Sequence, residues 1–188
     1  MMEAIIVDII YSRELHNLLN DMQKFAEENK IRELNTIILL YALMVDPKFA
    51  KAVLMSTKVN LSDVEDTILD LAETWYQGDE NKENVGKNCI FYNKKSASIP
   101  LTVDVSDDLK HILNGAGIIA IVDGKNEVDI DDVVESMIIN ENSNIQYFFK
   151  NSEMQEETFQ KNYKSLILKD ERWVTDSEYT LIIALPQY

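Results

Sequence analysis

The sequence is short of cysteine, glycine, proline and basic residues, and each shortage excludes a class of protein. Its one cysteine, Cys89, excludes an internal disulfide and a zinc site built from several thiolates. Five glycines and three prolines in 188 residues exclude a collagen-like or low-complexity chain. Only 18 Lys and Arg stand against 33 Asp and Glu, a net charge of −15 that disfavours nucleic-acid and membrane-surface partners and favours proteins.

Long hydrophobic runs are also missing. No apolar stretch approaches the roughly 20 residues that a membrane span requires. The run Ala4–Ile10 lacks the basic flank and the cleavage site of a secretory signal. With 46% apolar and 27% charged residues, the composition is that of a globular protein. We therefore predict one domain, residues 1–188, in the cytoplasm.

An internal repeat is the most informative feature of the sequence. An offset of 94 aligns residues 12–57 with 106–151 without a gap. Identical or apolar residues recur in both halves every three or four positions, which is helical spacing with one buried face. The aligned pairs include Ser12/Ser106, Leu15/Leu109, Leu19/Leu113, Asn20/Asn114, Leu40/Val134 and Leu43/Met137. The fold class predicted is all-α, with two tandem helical repeats related by a pseudo-twofold axis.

Helix caps refine this prediction. Ser12 and Ser106 precede the first helix of each copy, and Asn35 and Asp129 precede the second. Ser62 begins a capping-box sequence before another apolar stretch. We predict helices over 13–29, 36–45, 48–56 and 62–76, and over 107–121, 130–139, 143–151 and 153–165. The domain then divides into repeat one (12–76), a linker (77–100), repeat two (101–165) and a C-terminal extension (166–188).

Four short segments are candidates for extended structure, and one of them is Cys89–Tyr92 in the linker. Ala4–Ile10 and Tyr179–Leu185 are rich in Ile, Val and Leu, so each is a candidate for a short strand at one terminus, and the two are candidates to pair with each other. Ile99–Val105 could also be extended, although Pro100 argues against a central strand.

The second helix of the first copy resembles a known family. Leu34 to Met44, read as Leu-Asn-Thr-Ile-Ile-Leu-Leu-Tyr-Ala-Leu-Met, resembles the signature helix of the amino-terminal domain of Clp AAA+ unfoldases. Ser12 falls on the Ser or Thr that opens the first helix of that family, and Val128 to Ile138 repeats the pattern. Two tandem copies are also what the family shows. The resemblance implies a divergent, non-catalytic domain that docks substrate or adaptor proteins for an ATPase ring.

The resemblance also implies site residues. In one branch of the family an acidic residue of the signature helix binds phosphorylated arginine together with the opening hydroxyl. The acidic position is Ile37 in the first copy and Asp131 in the second, and the hydroxyls are Ser12 and Ser106. The candidate protein-binding residues are Ser12, Thr36, Ser106, Asp129, Asp131 and Asp132. Recognition of phosphorylated arginine would therefore be confined to the second copy.

Catalytic and cofactor motifs do not emerge. Gly117 and Gly124-Lys125 lack the spacing and the final hydroxyl of a phosphate loop, and Gly124 fits the left-handed end of a helix. The acidic stretch Asp129–Asp132 lacks the glycine and glutamate of a calcium loop. We expect no metal, no cofactor and no catalytic residue. An enzyme built from scattered carboxylates such as Glu65, Asp66 and Glu73 is the least favoured alternative.

Two functions within protein binding remain open at this point. The chain could be the substrate-receiving or adaptor-receiving domain of a Clp-type unfoldase, in contact with its ATPase ring. Alternatively, it could be a free-standing adaptor, decoy or regulator with the same fold.

Overall fold

The computed structural model describes residues 10–29, 31–78 and 103–175, with side chains placed to residue 72 and to residue 168 in the last two stretches. These ranges contain eight helices and four two-residue strands. The elements, in chain order, are β1 (Ile10–Tyr11), α1 (Arg13–Glu28), β2 (Glu33–Leu34), α2 (Thr36–Leu43), α3 (Pro47–Ser56), α4 (Leu61–Gly78), β3 (Asp104–Val105), α5 (Asp107–Val122), β4 (Glu127–Val128), α6 (Ile130–Ile139), α7 (Ser143–Asn151) and α8 (Glu156–Thr175). The mostly helical fold with two copies is confirmed.

The predicted caps begin the first two helices of each copy. Ser12 Oγ accepts a hydrogen bond from the Leu15 amide at 3.2 Å, and Ser106 Oγ accepts one from the Leu109 amide at the same distance. Asn35 caps α2, and Asp129 caps α6. These side chains satisfy amides that have no partner within the helix, so each helix begins at the predicted residue.

Three helix starts differ from prediction, and the first is α3, which begins at Pro47 instead of 48. α4 begins at Leu61 because the carbonyl of Asn60 accepts the amides of Asp63 and Val64, so Ser62 is inside the helix instead of capping it. α8 begins at Glu156 instead of 153, since Glu153 adopts a left-handed φ of 49° in the turn that closes α7. α8 then continues to Thr175 and passes through the boundary predicted at 165.

The short strands join the two copies. β1 of the first copy pairs in parallel with β4 of the second, and β2 pairs in parallel with β3. The offset of 94 relates β1 to β3 and β2 to β4, so the two pairings are equivalent under a pseudo-twofold axis. Only β1 and β3 overlap segments predicted to be extended, at Ile10 and within 99–105. Most of the other predicted segments lie outside the described residues. These are the rest of Ala4–Ile10, all of Tyr179–Leu185, and residues 79–100 of the linker predicted over 77–100.

The helices also pack across the two copies. α3 of the first copy packs on α8 of the second, and α4 packs on α7. The rings of Phe49 and Phe159 meet edge to face with centroids 5.3 Å apart at the first of these interfaces. α2 contacts α1, α4, α5 and α7, which explains why its sequence is apolar on nearly every side. The two copies therefore share one hydrophobic core.

α5 and α6 are in close contact at Gly115. A Cβ on Gly115 would collide with Ser136 Oγ, which donates to the carbonyl of Ile112 at 2.7 Å. Among the helices that the structure describes, none is long and apolar enough to cross a membrane.

Candidate functional site

A pocket in the second copy contains the three predicted acidic site residues. It is open, has a volume of about 260 Å³, and lies between the start of α6 and the middle of α8. We call it the acidic pocket. Its lining consists of Asp123, Lys125, Asp129, Asp131, Asp132, Val134, Glu135, Ile138, Gln160, Tyr163, Lys164 and Ile167.

Two local structures fix the start of α6 in this pocket. Asp129 Oδ1 accepts from the Asp132 amide at 3.0 Å, and Asp132 Oδ2 accepts from the Asp129 amide at 2.9 Å, a reciprocal capping box. Gly124, with a φ of 71°, ends α5 in the left-handed conformation as predicted. The turn places Lys125 Nζ within 3.1 Å of Asp129 and 2.7 Å of Asp132.

Asp131 is held by residues from two other helices. Lys48 Nζ, on α3 of the first copy, donates to both carboxylate oxygens at 2.9 and 3.1 Å. The Tyr163 hydroxyl, on α8, donates to Oδ1 at 2.6 Å. The Asp131 side chain remains 19% exposed. This carboxylate already holds a cation while facing an open pocket.

The pocket shifts the pKa of four groups. Burial, followed by the negative charge of Asp131 and the hydrogen bond to it, raises the pKa of Tyr163, so its hydroxyl remains a donor. Partial burial acts to lower the pKa of Lys125, but hydrogen bonds to Asp132 and Asp129 outweigh it and raise the pKa. Burial also raises the pKa of Asp132. For Asp129, burial is outweighed by the Asp132 amide and Lys125, and the pKa is lowered.

The first copy has a groove at the equivalent position. This apolar groove has a volume of about 220 Å³ and is lined by Phe25, Ile31, Asn35, Ile37, Ile38, Tyr41, Ile68, Leu69 and Ala72. The offset of 94 relates much of its lining to the acidic pocket. The matched pairs are Ile31/Lys125, Asn35/Asp129, Ile37/Asp131, Ile38/Asp132, Tyr41/Glu135 and Leu69/Tyr163. One backbone arrangement therefore carries two different chemistries.

The other predicted site residues lie outside the acidic pocket. Ser12 and Ser106 are buried, and their hydroxyls cap α1 and α5. Thr36 is fully buried, and its hydroxyl accepts from Asn144 Nδ2 of α7 at 2.9 Å. Their role in protein binding stays a prediction.

Lys48, Lys125 and Tyr163 were missed in the sequence. Lys48 lies 83 residues from Asp131, and no local pattern connects the two. Tyr163 carries a weak signal, since the offset pairs it with Leu69 on a helix of the same amphipathic type. Lys125 was noticed only as part of a failed phosphate loop.

Within the described ranges, no three His, Cys, Asp or Glu side chains are arranged to hold a metal ion. Glu65 and Asp66, considered above as scattered catalytic carboxylates, are exposed on α4. The side chain of Glu73 lies outside the described residues.

Comparison with known proteins agrees with this architecture. The family described as the Clp repeat N-terminal domain matches residues 10–152, which include both copies. The chain belongs to this family. In Clp ATPases, Clp N-terminal domains bind substrates and adaptors, and the domain itself is non-catalytic. No curated protein sequence matches the chain significantly.

Solved structures support the fold of this Clp repeat domain. The N-terminal domain of Hsp104 from Candida albicans is similar with a TM-score of 0.60 and 14% identity, over 84% of this chain and 91% of that one. The N-terminal domain of the caseinolytic protease-associated chaperone ClpD from Arabidopsis thaliana is similar with a TM-score of 0.54 and 10% identity. The match covers 84% of this chain and 96% of that one. At these identities the likeness establishes the fold alone.

Proposed function

We propose that this Clp repeat domain is a non-catalytic receptor for substrate or adaptor proteins of a Clp-type AAA+ unfoldase. In this proposal its acidic pocket binds basic side chains of those proteins. One observation carries the proposal: the Asp131 carboxylate, which lines an open pocket, already holds the Lys48 ammonium. A lysine or arginine of a partner can replace Lys48 without leaving Asp131 unpaired.

The charges around the pocket support this choice of partner. Five acids line the pocket, and three cations face them among the described residues. The acids are Asp123, Asp129, Asp131, Asp132 and Glu135, and the cations are Lys125 and Lys164 of the lining and Lys48 on Asp131. The net charge of −15 adds a long-range field that attracts basic segments and repels acidic ones. Planar guanidinium groups also match carboxylates in two parallel hydrogen bonds, so arginine is the preferred ligand.

The remaining predicted residues have supporting roles in this proposal. Asp129 and Asp132 hold the start of α6 and set the orientation of Asp131. Ser12 and Ser106 begin the first helix of each copy, and Thr36 connects α2 to α7. We assign them to positioning instead of contact with the partner, since Thr36 is fully buried and both serine hydroxyls are engaged in caps.

A peptide-binding experiment tests the pocket. The probe is a fluorescein-labelled eight-residue peptide of alternating Arg and Gly, measured by anisotropy at 50 mM and 200 mM salt. We expect Asp131→Asn to weaken binding about tenfold, because a hydrogen bond to a charged group contributes about 1.5–3 kcal/mol. Lys48→Ala, which removes the internal cation, should strengthen binding.

Asp107→Asn is the matched control, because it removes the same charge from a side chain that is 78% exposed. Equal losses in Asp131→Asn and Asp107→Asn would mean that only net charge matters, and would contradict the pocket. A peptide with phosphorylated arginine that binds more tightly than the unmodified one would instead assign the pocket to that modification.

A chimera tests the link to an unfoldase. A Clp-type ATPase ring whose own N-terminal domain is replaced by residues 1–188 should unfold a fluorescent protein carrying the Arg-Gly peptide. The same ring carrying the Asp131→Asn domain should be slower on this protein and unchanged on an untagged one. Equal rates for the two rings would contradict delivery through the pocket.

A further inference from the structure

The acidic pocket is not charged throughout. Three of its twelve lining residues are aliphatic, namely Val134, Ile138 and Ile167. Val134 is fully buried, whereas Ile138 and Ile167 pack against the core and are only partly buried. Ligand pockets usually combine apolar contact area with a few polar groups that fix the orientation of the ligand. The two isoleucines therefore give the pocket an apolar contact surface in addition to its charges.

The spacing along α6 places an anionic group and an apolar group on one face of the helix. Asp131 is in the first turn of α6, and Ile138 follows seven residues later, about 10 Å further along the helix axis. Both side chains line the pocket. Glu135 lies between them, and Lys164 Nζ of α8 approaches its carboxylate at 3.8 Å. A cation bound at Asp131 therefore leaves Ile138 available for a second contact.

This separation matches a short extended peptide. Side chains two residues apart in an extended segment point to the same side, and their origins are about 6.6 Å apart. An arginine covers the remaining distance, because its guanidinium group is carried on a stem of three methylene groups. Gln160, also in the lining, has a side-chain amide that can donate to or accept from the peptide backbone.

We propose that the acidic pocket binds a segment in which an arginine and a large apolar residue are two positions apart. This inference rests on the function proposed above and names the class of segment that is bound. The guanidinium group binds Asp131, and the apolar side chain packs against Ile138. The apolar residue makes the pocket selective, since arginine alone is common on protein surfaces.

Paired peptides isolate the apolar contribution. The probes are fluorescein-labelled Gly-Arg-Gly-Leu-Gly-Arg-Gly and the same peptide with Ala in place of Leu, titrated by anisotropy. Leu has an arginine two residues away on both sides, so the direction in which the peptide binds does not matter. The contacts of arginine are common to both peptides. We expect the Leu peptide to bind about tenfold more tightly, as partial burial of three additional carbons predicts.

Three variants locate the effect. Ile138→Ala should lower the ratio of the two affinities to about twofold, because it removes the surface that the leucine covers. Its affinity for the Ala peptide should stay at the wild-type value, which shows that the variant is folded. Ile139→Ala, at a neighbouring isoleucine that is 64% exposed and outside the lining, should keep the tenfold ratio. Asp131→Asn should weaken both peptides by the same factor.

Three outcomes would overturn the inference. A ratio of one with the wild-type protein, together with weaker binding of both peptides to Asp131→Asn, would leave the proposed function intact and remove the apolar requirement. Unchanged affinities of both peptides for Asp131→Asn would overturn the proposed function as well. A ratio that survives Ile138→Ala and disappears in Leu69→Asp would place the leucine in the apolar groove of the first copy.

Discussion

The two copies of the repeat have the same skeleton and opposite surfaces. Leu39, Leu40 and Leu43 of α2 and their counterparts on α6 are all buried and apolar, and these positions hold the helices together. At the helix starts the copies diverge, because Ile37 and Ile38 correspond to Asp131 and Asp132. The difference teaches that burial of a few shared positions fixes the backbone, while the grooves beside them can change chemistry.

One matched pair of positions shows how this change is accommodated. Ile31 and Ile38 line the apolar groove, and their counterparts Lys125 and Asp132 form a salt bridge of 2.7 Å. An apolar pair in one copy is thus an ion pair in the other. The second copy requires both charges, since a buried Asp132 without Lys125 would lose its compensating cation.

The largest effect should come from the positions that both copies share. Leu40→Asp and Val134→Asp each place a charge at a fully buried site, so each should lower the free energy of unfolding by more than about 4 kcal/mol. Urea denaturation followed by circular dichroism measures this loss. If only one of the two variants lost its stability and the other unfolded like the wild type, the two copies would fold separately. Val45→Asp, at an exposed residue, is the control.

A smaller effect should come from making the second copy resemble the first. Lys125→Ile alone should cost about 1–2 kcal/mol, since it leaves Asp132 without its cation and the Lys125 side chain is 36% exposed. Asp132→Ile added to it should recover part of that loss, as replacement of both partners of an ion pair by apolar groups is often neutral. The recovery is incomplete because the Asp129 amide loses its capping-box acceptor. Chemical denaturation of both single variants and the double variant gives the coupling. If the losses of the two single variants simply added in the double variant, an apolar pair could not replace the ion pair at these positions.

The smallest effect concerns Asp46, which caps α3 through a bond of 2.9 Å from the Phe49 amide. Burial, together with the charge of Asp131, raises the pKa of Asp46. An acid whose pKa is higher in the folded state destabilises the fold once the pH rises above its unfolded value. Asn is an equally good cap, so Asp46→Asn should be slightly more stable than the wild type at pH 7 and no different near pH 3. The melting temperatures of Asp46→Asn and the wild type at both pH values measure this difference. A variant that melts below the wild type at pH 7 would contradict the prediction.

The helices and their caps could be predicted because their signals are local. Ser12, Asn35, Ser106 and Asp129 each stand beside the amides that they satisfy, and an apolar stretch follows each of them. The misplaced starts of α4 and α8 are also local in cause, since the Asn60 carbonyl and the left-handed Glu153 each decide a single turn.

The contents of the pocket could be predicted only in part. Asp129, Asp131 and Asp132 are close in sequence, so their meeting was foreseeable. Lys48 and Tyr163 reach Asp131 from helices of different copies, and only the packing of α3 on α8 brings them together. The pairing of the strands could not be predicted, because two residues are too few to show alternation and the partner of each strand lies in the other half of the chain. Only Ile10 and residues 104–105 fall in segments predicted to be extended.

The exchange of strands between the copies has a consequence for how the chain acquires its structure. Ile10 pairs with Glu127, so the first strand gains its partner only when most of the chain is available. Contacts over such separations form slowly, because a long loop must close before they stabilise anything. During synthesis, the first repeat therefore leaves the ribosome with an unpaired edge, and its maturation waits for the second.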